Sequence, residues 1–250
     1  MIRVGCCGWG FFKGGLKAYQ KDFSVVEIQQ TFYKLPLSKT AGRWRSEAPE
    51  GFEFVVKSWQ AITHLTSSPT WRRSGLKQDE LRKDYGWLRP TKDNFEAWHR
   101  TKEICEAVGA KVCVIQCPPN FNCTGENIEN MQKFFGNIER GKLALAWEPR
   151  GDWKDHPEEI KKICKVLELI HVVDLMRRVP LSRHPIAYSR LHGLKPREYD
   201  YNYEYSPAEI KQLAGKVEDL AKMHREVYVM FNNFQMYKNA SHLIRRLNLQ

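Results

Sequence analysis

Leu143-Ala144-Leu145-Ala146-Trp147-Glu148-Pro149-Arg150 alternates in side-chain size and then ends in charge. Side chains of a strand point to opposite faces in turn. Ala144, Ala146 and Glu148 therefore share one face, and Leu143, Leu145 and Trp147 share the other. Small residues inward and bulky ones outward, against helices, suit the wall of a closed barrel. Pro149 lacks the N–H that a sheet ladder needs, so the strand closes there.

Seven other runs behave in the same way. With 143–148 they are 2–7, 24–29, 52–57, 111–116, 170–174, 186–192 and 227–232, mostly β-branched or aromatic, each ending on a polar or glycine-flanked residue. Helix-like segments or loops lie between them. If all eight runs are parallel strands of one closed sheet, Glu27, Lys57, Gln116, Glu148, Asp174, His192 and Asn232 converge at the strand ends. Active sites of (β/α)8 barrels sit on that face. The expected fold is an α/β TIM barrel, a single domain over residues 1–250 with a long connection after strand 3.

Composition narrows the class. No Ser/Gly-rich linker divides the chain, and no apolar run reaches the roughly 18 residues that span a bilayer. Met1-Ile2-Arg3-Val4-Gly5 passes straight into a strand, with no signal peptide evident, so a cytoplasmic location away from membranes is expected. Forty basic residues against 29 acidic ones leave a net charge of +11. That favours nucleic acid or a phosphorylated ligand as partner, the alternative being a soluble enzyme that is simply basic. From Leu175 to Arg197 there are six basic residues (Arg177, Arg178, Arg183, Arg190, Lys195 and Arg197) and no acidic one. Seven cysteines, an odd number, argue against a disulfide scaffold. Cys6, Cys7, Cys117 and Cys123 near strand ends could form a thiolate site, but no CxxC spacing supports one.

The connections add detail. The glycine-rich loop 8–15 has neither a GxGxxG nor a P-loop pattern. Helices are expected near 16–21, 37–47, 93–108, 126–135, 158–169 and 238–247, and from Pro207 to about His224. Asn94 or Asp93 is read as the cap of the third of these, with Gly109 at its end, and Ser206-Pro207-Ala208-Glu209 has the capping-box form. Between residues 58 and 90, Trp59, Trp71, Tyr85 and Trp87 alternate with Arg72, Arg73, Lys77, Arg82, Lys83 and Arg89. Such a segment fits either a nucleic-acid surface or a lid packed through its tryptophans. The tyrosines of 199–205 could form a stacking edge or pack a loop.

Several segments resemble the DUF72 family, also called YecE-like proteins. They are Val4-Gly5-Cys6-Cys7-Gly8-Trp9, Val26-Glu27-Ile28-Gln29-Gln30-Thr31-Phe32-Tyr33, Phe52-Glu53-Phe54-Val55-Val56-Lys57 with Ile62-Thr63-His64, and Gln116-Cys117-Pro118-Pro119-Asn120-Phe121. Trp147-Glu148-Pro149-Arg150 with Trp153, Arg190-Leu191-His192-Gly193, and Phe231-Asn232-Asn233 with Asn239-Ala240 follow in order. The resemblance implies a TIM barrel similar to endonuclease IV and the xylose-isomerase-like group, and leaves the activity open. Cys6-Cys7 and Cys117 depart from the family pattern, which more often has Thr-Ser and a bulky apolar residue there.

The chemistry expected at the strand ends is hydrolytic or phosphoester-processing. Glu27 and Glu148 form an acid/base pair with His192 as proton shuttle, while Lys57, His64, Gln116, Arg150, Arg190 and Asn232 bind the ligand. Glu27, Glu148, Asp174, His64 and His192 could hold one divalent metal, although no HxH or HExxH spacing appears. The alternative is a non-catalytic nucleic-acid or polyanion-binding barrel, its mouth charges forming a structural salt-bridge network.

Overall fold

Parallel strands covered on both faces require nearly continuous apolar sequence, and the chain supplies it in each of the expected places. A computed structural model describes residues 1–249. Among them, β1 (Ile2–Cys6), β2 (Val25–Ile28), β3 (Glu53–Lys57), β4 (Val112–Gln116), β5 (Ala144–Glu148), β6 (Leu169–Val173), β7 (Ile186–Leu191) and β8 (Glu226–Phe231) follow in sequence order around a closed barrel. Each boundary lies within one residue of the sequence expectation. The helices are α1 (Gly15–Asp22), α2 (Gln30–Tyr33), α3 (Ser38–Glu47), α4 (Lys92–Val108), α5 (Gly125–Asn137), α6 (Pro157–Val166), α7 (Pro207–Met223) and α8 (Met236–Arg246). No helix among the described residues is long and apolar enough to cross a membrane.

The residues sort into two compact units. The first takes Met1–Glu27, Ala48–Glu53 and the chain from Ile170 onward; the second takes Ile28–Glu47 and Phe54–Leu169.

In the first unit β1 pairs in parallel with β8, and β8 with β7, so that Arg3, Tyr228 and Tyr188 lie side by side. Val4, Val25, Val229, Phe231, Leu213, Val217 and Leu243 are buried in its core. The capping box at α7 forms as expected: Ser206 Oγ accepts from the Glu209 N–H while the Glu209 carboxylate accepts from the Ser206 N–H. Gly193, at φ +108°, occupies the left-handed region, and a side chain there would strike the Tyr203 ring.

In the second unit β4 lies between β3 and β5. Val55, Val114, Leu145, Trp147, Ile104 and Phe134 are buried there. Thr91 caps α4 by accepting from the Asn94 N–H; the expectation of Asp93 or Asn94 is corrected. Asn94 is needed elsewhere. Its side chain donates to the Gly86 and Arg89 carbonyls and accepts from the Gly86 N–H, tying the long connection to α4. Helix α6 stops at Val166 rather than 169, since β6 already begins at Leu169. The connection after β3 holds three short 3-10 turns, Gln60–Ile62, Pro69–Arg73 and Gln78–Glu80. Trp59, Trp71 and Tyr85 are buried and pack on one another, with ring centroids 5.6–6.3 Å apart. The packed alternative therefore describes these aromatics, while Arg72, Arg73, Lys77, Arg82 and Lys83 stay exposed.

Gly5 marks the closest approach within β1. A Cβ placed there would lie 2.2 Å from the Val25 carbonyl oxygen of β2. Backbone cannot yield as a flexible side chain can, so Gly5→Ala is expected to destabilise the fold by about 1–3 kcal/mol, the usual range for overpacking. Chemical denaturation checks this; an unchanged midpoint would contradict it.

Candidate functional site

Three neighbouring strands of the second unit end in polar residues that reach one another. Lys57 closes β3, Gln116 closes β4 and Glu148 closes β5, with Gln116 and Glu148 directly paired in register. Pro149 turns the chain so that Arg150 folds back over the strand end. Lys57 Nζ and Arg150 Nη2 both donate to Gln116 Oε1 at 2.9 Å. Arg150 also donates to Glu148 Oε1 through Nε and Nη2, at 3.0 and 2.8 Å. The Lys57 ammonium lies 4.1 Å from the centroid of the Phe32 ring, a cation–π contact supplied by α2. Thr31 Oγ1 comes within 2.6 Å of the Lys57 carbonyl oxygen, so α2 also fixes the backbone of the strand end. His64 packs edge-on against Phe32 and shares a 2.8 Å hydrogen bond between its Nδ1 and Thr63 Oγ1. Burial, reinforced by the positive charge of Lys57 and Arg150, lowers the His64 pKa to about 3 and keeps the ring neutral.

The first unit builds two polar groups of its own. Glu27 is sealed from solvent; Arg190 Nη2 stands 3.1 Å from Oε1 and the Tyr188 hydroxyl donates to Oε2 at 2.8 Å. Beyond the end of β6, Asp174 accepts from the backbone N–H groups of His192 and Met176, both at 3.0 Å. The His192 Nδ1 is 3.9 Å from the Asp174 carboxylate, and Tyr199 and Tyr201 stand edge-on to its ring. Burial raises the Asp174 pKa to about 6 despite those N–H donors. Asn232 follows β8 half-buried, its backbone N–H bonded to the Leu191 carbonyl. The structure thus gathers Lys57, His64, Gln116, Glu148 and Arg150 in one unit, and Glu27, Arg190 and His192 in the other. Thr31 was not among the expected site residues.

Much of the basic stretch from Arg177 to Arg197 is consumed internally. Arg177 donates to the Gly193 and Lys195 carbonyls, Arg178 pairs with Glu198, Lys195 pairs with Asp200 3.2 Å away, and Arg190 serves Glu27. Arg183 and Arg197 remain exposed. Among the described residues no disulfide joins any of the seven cysteines. Burial pushes the Cys117 thiol up to about 12 and the Cys6 thiol well above its usual value, which makes both poor nucleophiles and poor ligands at neutral pH. Among the described residues no three His, Cys, Asp or Glu side chains gather into a metal-ligand set.

A closed parallel barrel with charged strand ends defines a TIM-barrel protein. Residues 3–250 match the profile of the family described as "Protein of unknown function DUF72", and the chain belongs to that family. It is 24% identical to the UPF0759 protein YunF of Bacillus subtilis (strain 168), over 93% of this chain and 89% of that one. A DUF72 family protein from Thermotoga maritima MSB8 superposes with a TM-score of 0.75 at 26% identity, covering 99% of each chain. Endonuclease IV from Thermus thermophilus shares the fold, with a TM-score of 0.52 at 12% identity over 98% of this chain and 97% of that one.

The buried groups set a pH dependence. With a folded-state pKa of about 3 against an ordinary 6.5, His64 stays unprotonated while the unfolded chain takes up a proton. Its contribution is intact above 6.5 and is lost as pH falls toward 3, at up to about 1.4 kcal/mol per pH unit. Asp174 acts oppositely: its folded-state pKa of about 6 lies above the ordinary 3.8, so it adds stability as pH falls between those values. In urea unfolding between pH 6.5 and 4, His64→Gln should flatten the loss of stability and Asp174→Asn should steepen it. Slopes identical to wild type would contradict both assignments.

Proposed function

We propose that this protein binds and hydrolyses a phosphoester, with nucleic acid as the substrate class, at the cluster formed by Lys57, Gln116, Glu148 and Arg150. The observation that carries this reading is the double donation to Gln116 Oε1: an ammonium and a guanidinium already point at a single oxygen position. A phosphoryl oxygen offers an acceptor at that position with a negative charge, which adds a Coulombic attraction to both cations that the neutral amide oxygen lacks. Rotation of the Gln116 amide would release both donors to it. In this reading Arg150 is held ready by Glu148 and Lys57 is held over Phe32; Glu148 accepts a proton from a water whose oxygen bonds to phosphorus while the P–O bond to the leaving alcohol breaks, and the leaving oxygen takes its proton from solvent. Neutral His64 lends a hydrogen bond rather than a charge. Glu27 and Arg190 are read as a sealed structural pair, and no step is given to His192 or Asn232.

The net charge of +11 supports a polyanionic substrate. The word endonuclease in the name of a protein with this fold supports it as analogy of fold alone. One observation favours the second reading, a non-catalytic polyanion-binding barrel: Arg150 spends two donors on Glu148, as a purely structural ion network would.

Glu148→Gln separates the two. Assayed on a panel of phosphodiesters and phosphomonoesters with and without divalent metal, at a temperature where circular dichroism shows the variant folded, it should lose turnover by about 100-fold or more, the usual contribution of a general base. Its midpoint should fall under either reading, because Arg150 loses a buried counter-charge. Absence of turnover by wild type under every condition would return the cluster to the structural network.

A further inference from the structure

We infer that the loops following β7, β8 and β1 form an aromatic rim that stacks the unpaired bases of a single-stranded or flipped-out nucleic acid, with Phe11 and Phe234 as the stacking residues. The inference deepens the proposed function, and rests on it for the identity of the ligand.

Phe11 is 95% exposed and Phe234 is 73% exposed. Isolated exposed apolar residues need no explanation. Two phenylalanines on loops that follow directly paired strands, each with its backbone tied down, do. Strand β8 pairs with both β7 and β1, so the three loops are neighbours within one unit. Phe11 stands in a turn closed by the Phe12 N–H bonding to the Trp9 carbonyl at 2.9 Å. The adjacent Phe12 packs against Tyr19, Phe23 and Tyr237, with centroids 5.5, 5.9 and 4.9 Å away. The loop therefore has an apolar pocket at hand and fills it with Phe12, leaving Phe11 outside. Phe234 is fixed in the same manner. Its N–H donates to the Tyr201 carbonyl at 2.9 Å, and the preceding Asn233 side chain donates to the Tyr203 carbonyl and to Asn239 Oδ1.

The chemistry of the surroundings selects the occupant. Exposed Lys13 and Lys17 follow Phe11 in the chain and suit a phosphate backbone. A base offers a flat π-face whatever its identity, so two exposed phenyl rings, the first followed by exposed lysines, fit single-stranded nucleic acid without sequence preference. Trp59 and Trp71 of the connection after β3 cannot serve this purpose, because they are buried and pack on one another inside the second unit. Tyr199 and Tyr201 face His192 and act as the support of the rim.

The test is a binding titration at low salt with oligothymidylate, oligouridylate and duplex DNA of about 12 bases. Phe11→Ala and Phe234→Ala should each weaken single-strand binding about tenfold, within the range found for loss of one base stack. Duplex binding and the salt slope should not change, and Phe234→Tyr should bind like wild type. Because both rings are exposed, thermal midpoints should hold. Absence of oligonucleotide binding by wild type, equal binding by the alanine variants, or binding to phosphatidylglycerol vesicles that is lost in those variants would overturn the inference. Arg150→Ala keeps the two readings apart. Loss of turnover there with normal binding by the phenylalanine variants leaves the proposed function and removes the rim. Weakened binding by the phenylalanine variants, with no phosphoester turnover by any protein, leaves the rim and removes the hydrolase.

Discussion

A carboxylate without solvent has to be answered by donors, and Glu27 is such a group: it and Arg190 are both 0% exposed. An unanswered buried charge is far more expensive than the interaction it forgoes, and removing one partner of a buried pair typically destabilises by about 3–5 kcal/mol. Arg190 supplies the counter-charge and Tyr188 a neutral donor, both from β7. This accounts for the oddest composition in the sheet, a buried strand with a tyrosine and an arginine at alternate positions. Tyr188 is itself stacked on Tyr228 of β8, so the ion pair is anchored in the neighbouring strand as well. Asp174 obeys the same constraint with backbone N–H groups as its donors, and its position at the end of β6 fixes the chain at His192.

The cluster of the second unit satisfies its charges differently. Its donors meet at an amide oxygen, which is a weaker acceptor for an ammonium and a guanidinium than any charged oxygen. A neutral acceptor between two cations is a stable placeholder that a stronger acceptor can replace. Both clusters contain an ion pair, Glu27 with Arg190 and Glu148 with Arg150, but in the second a neutral amide oxygen is also shared by two cationic donors, and that shared acceptor motivates assigning function to the second. The neutral state of His64 follows first from its burial and then from the same surroundings, because a third positive charge beside Lys57 and Arg150 is disfavoured.

The fold was largely legible in the chain. Runs such as Val112–Gln116 and Ala144–Glu148 carry parallel-strand composition and stop at a polar residue or a proline, and both properties survive without tertiary information. Helix α2 escaped notice because four residues, Gln30–Tyr33, cannot display a 3.6-residue period. The cap of α4 was displaced because Thr91, Asp93 and Asn94 are all good caps locally, and Asn94 is decided by Gly86, a partner in the preceding loop. Strand-end residues such as Lys57, Gln116 and Glu148 could be found by position alone. What could not be read was allegiance: whether Arg178 faces solvent or Glu198, and whether Trp71 faces a ligand or Tyr85. Basic and aromatic residues have the same composition on a binding surface as in a packed loop. The exposed Phe11 was hidden for the same reason, since only the structure shows that Phe12 took the pocket.

The central claim is that Lys57 and Arg150 form a seat for a phosphoryl oxyanion. Crystals of the protein soaked in tungstate, a heavy tetrahedral stand-in for phosphate, test it directly through anomalous density. The account predicts a peak within hydrogen-bond distance of Lys57 Nζ and the Arg150 guanidinium, with the Gln116 amide turned away, and no such peak in Arg150→Ala. Tungstate bound only at surface lysines, with the Gln116 amide oxygen still held by both cations, would contradict it.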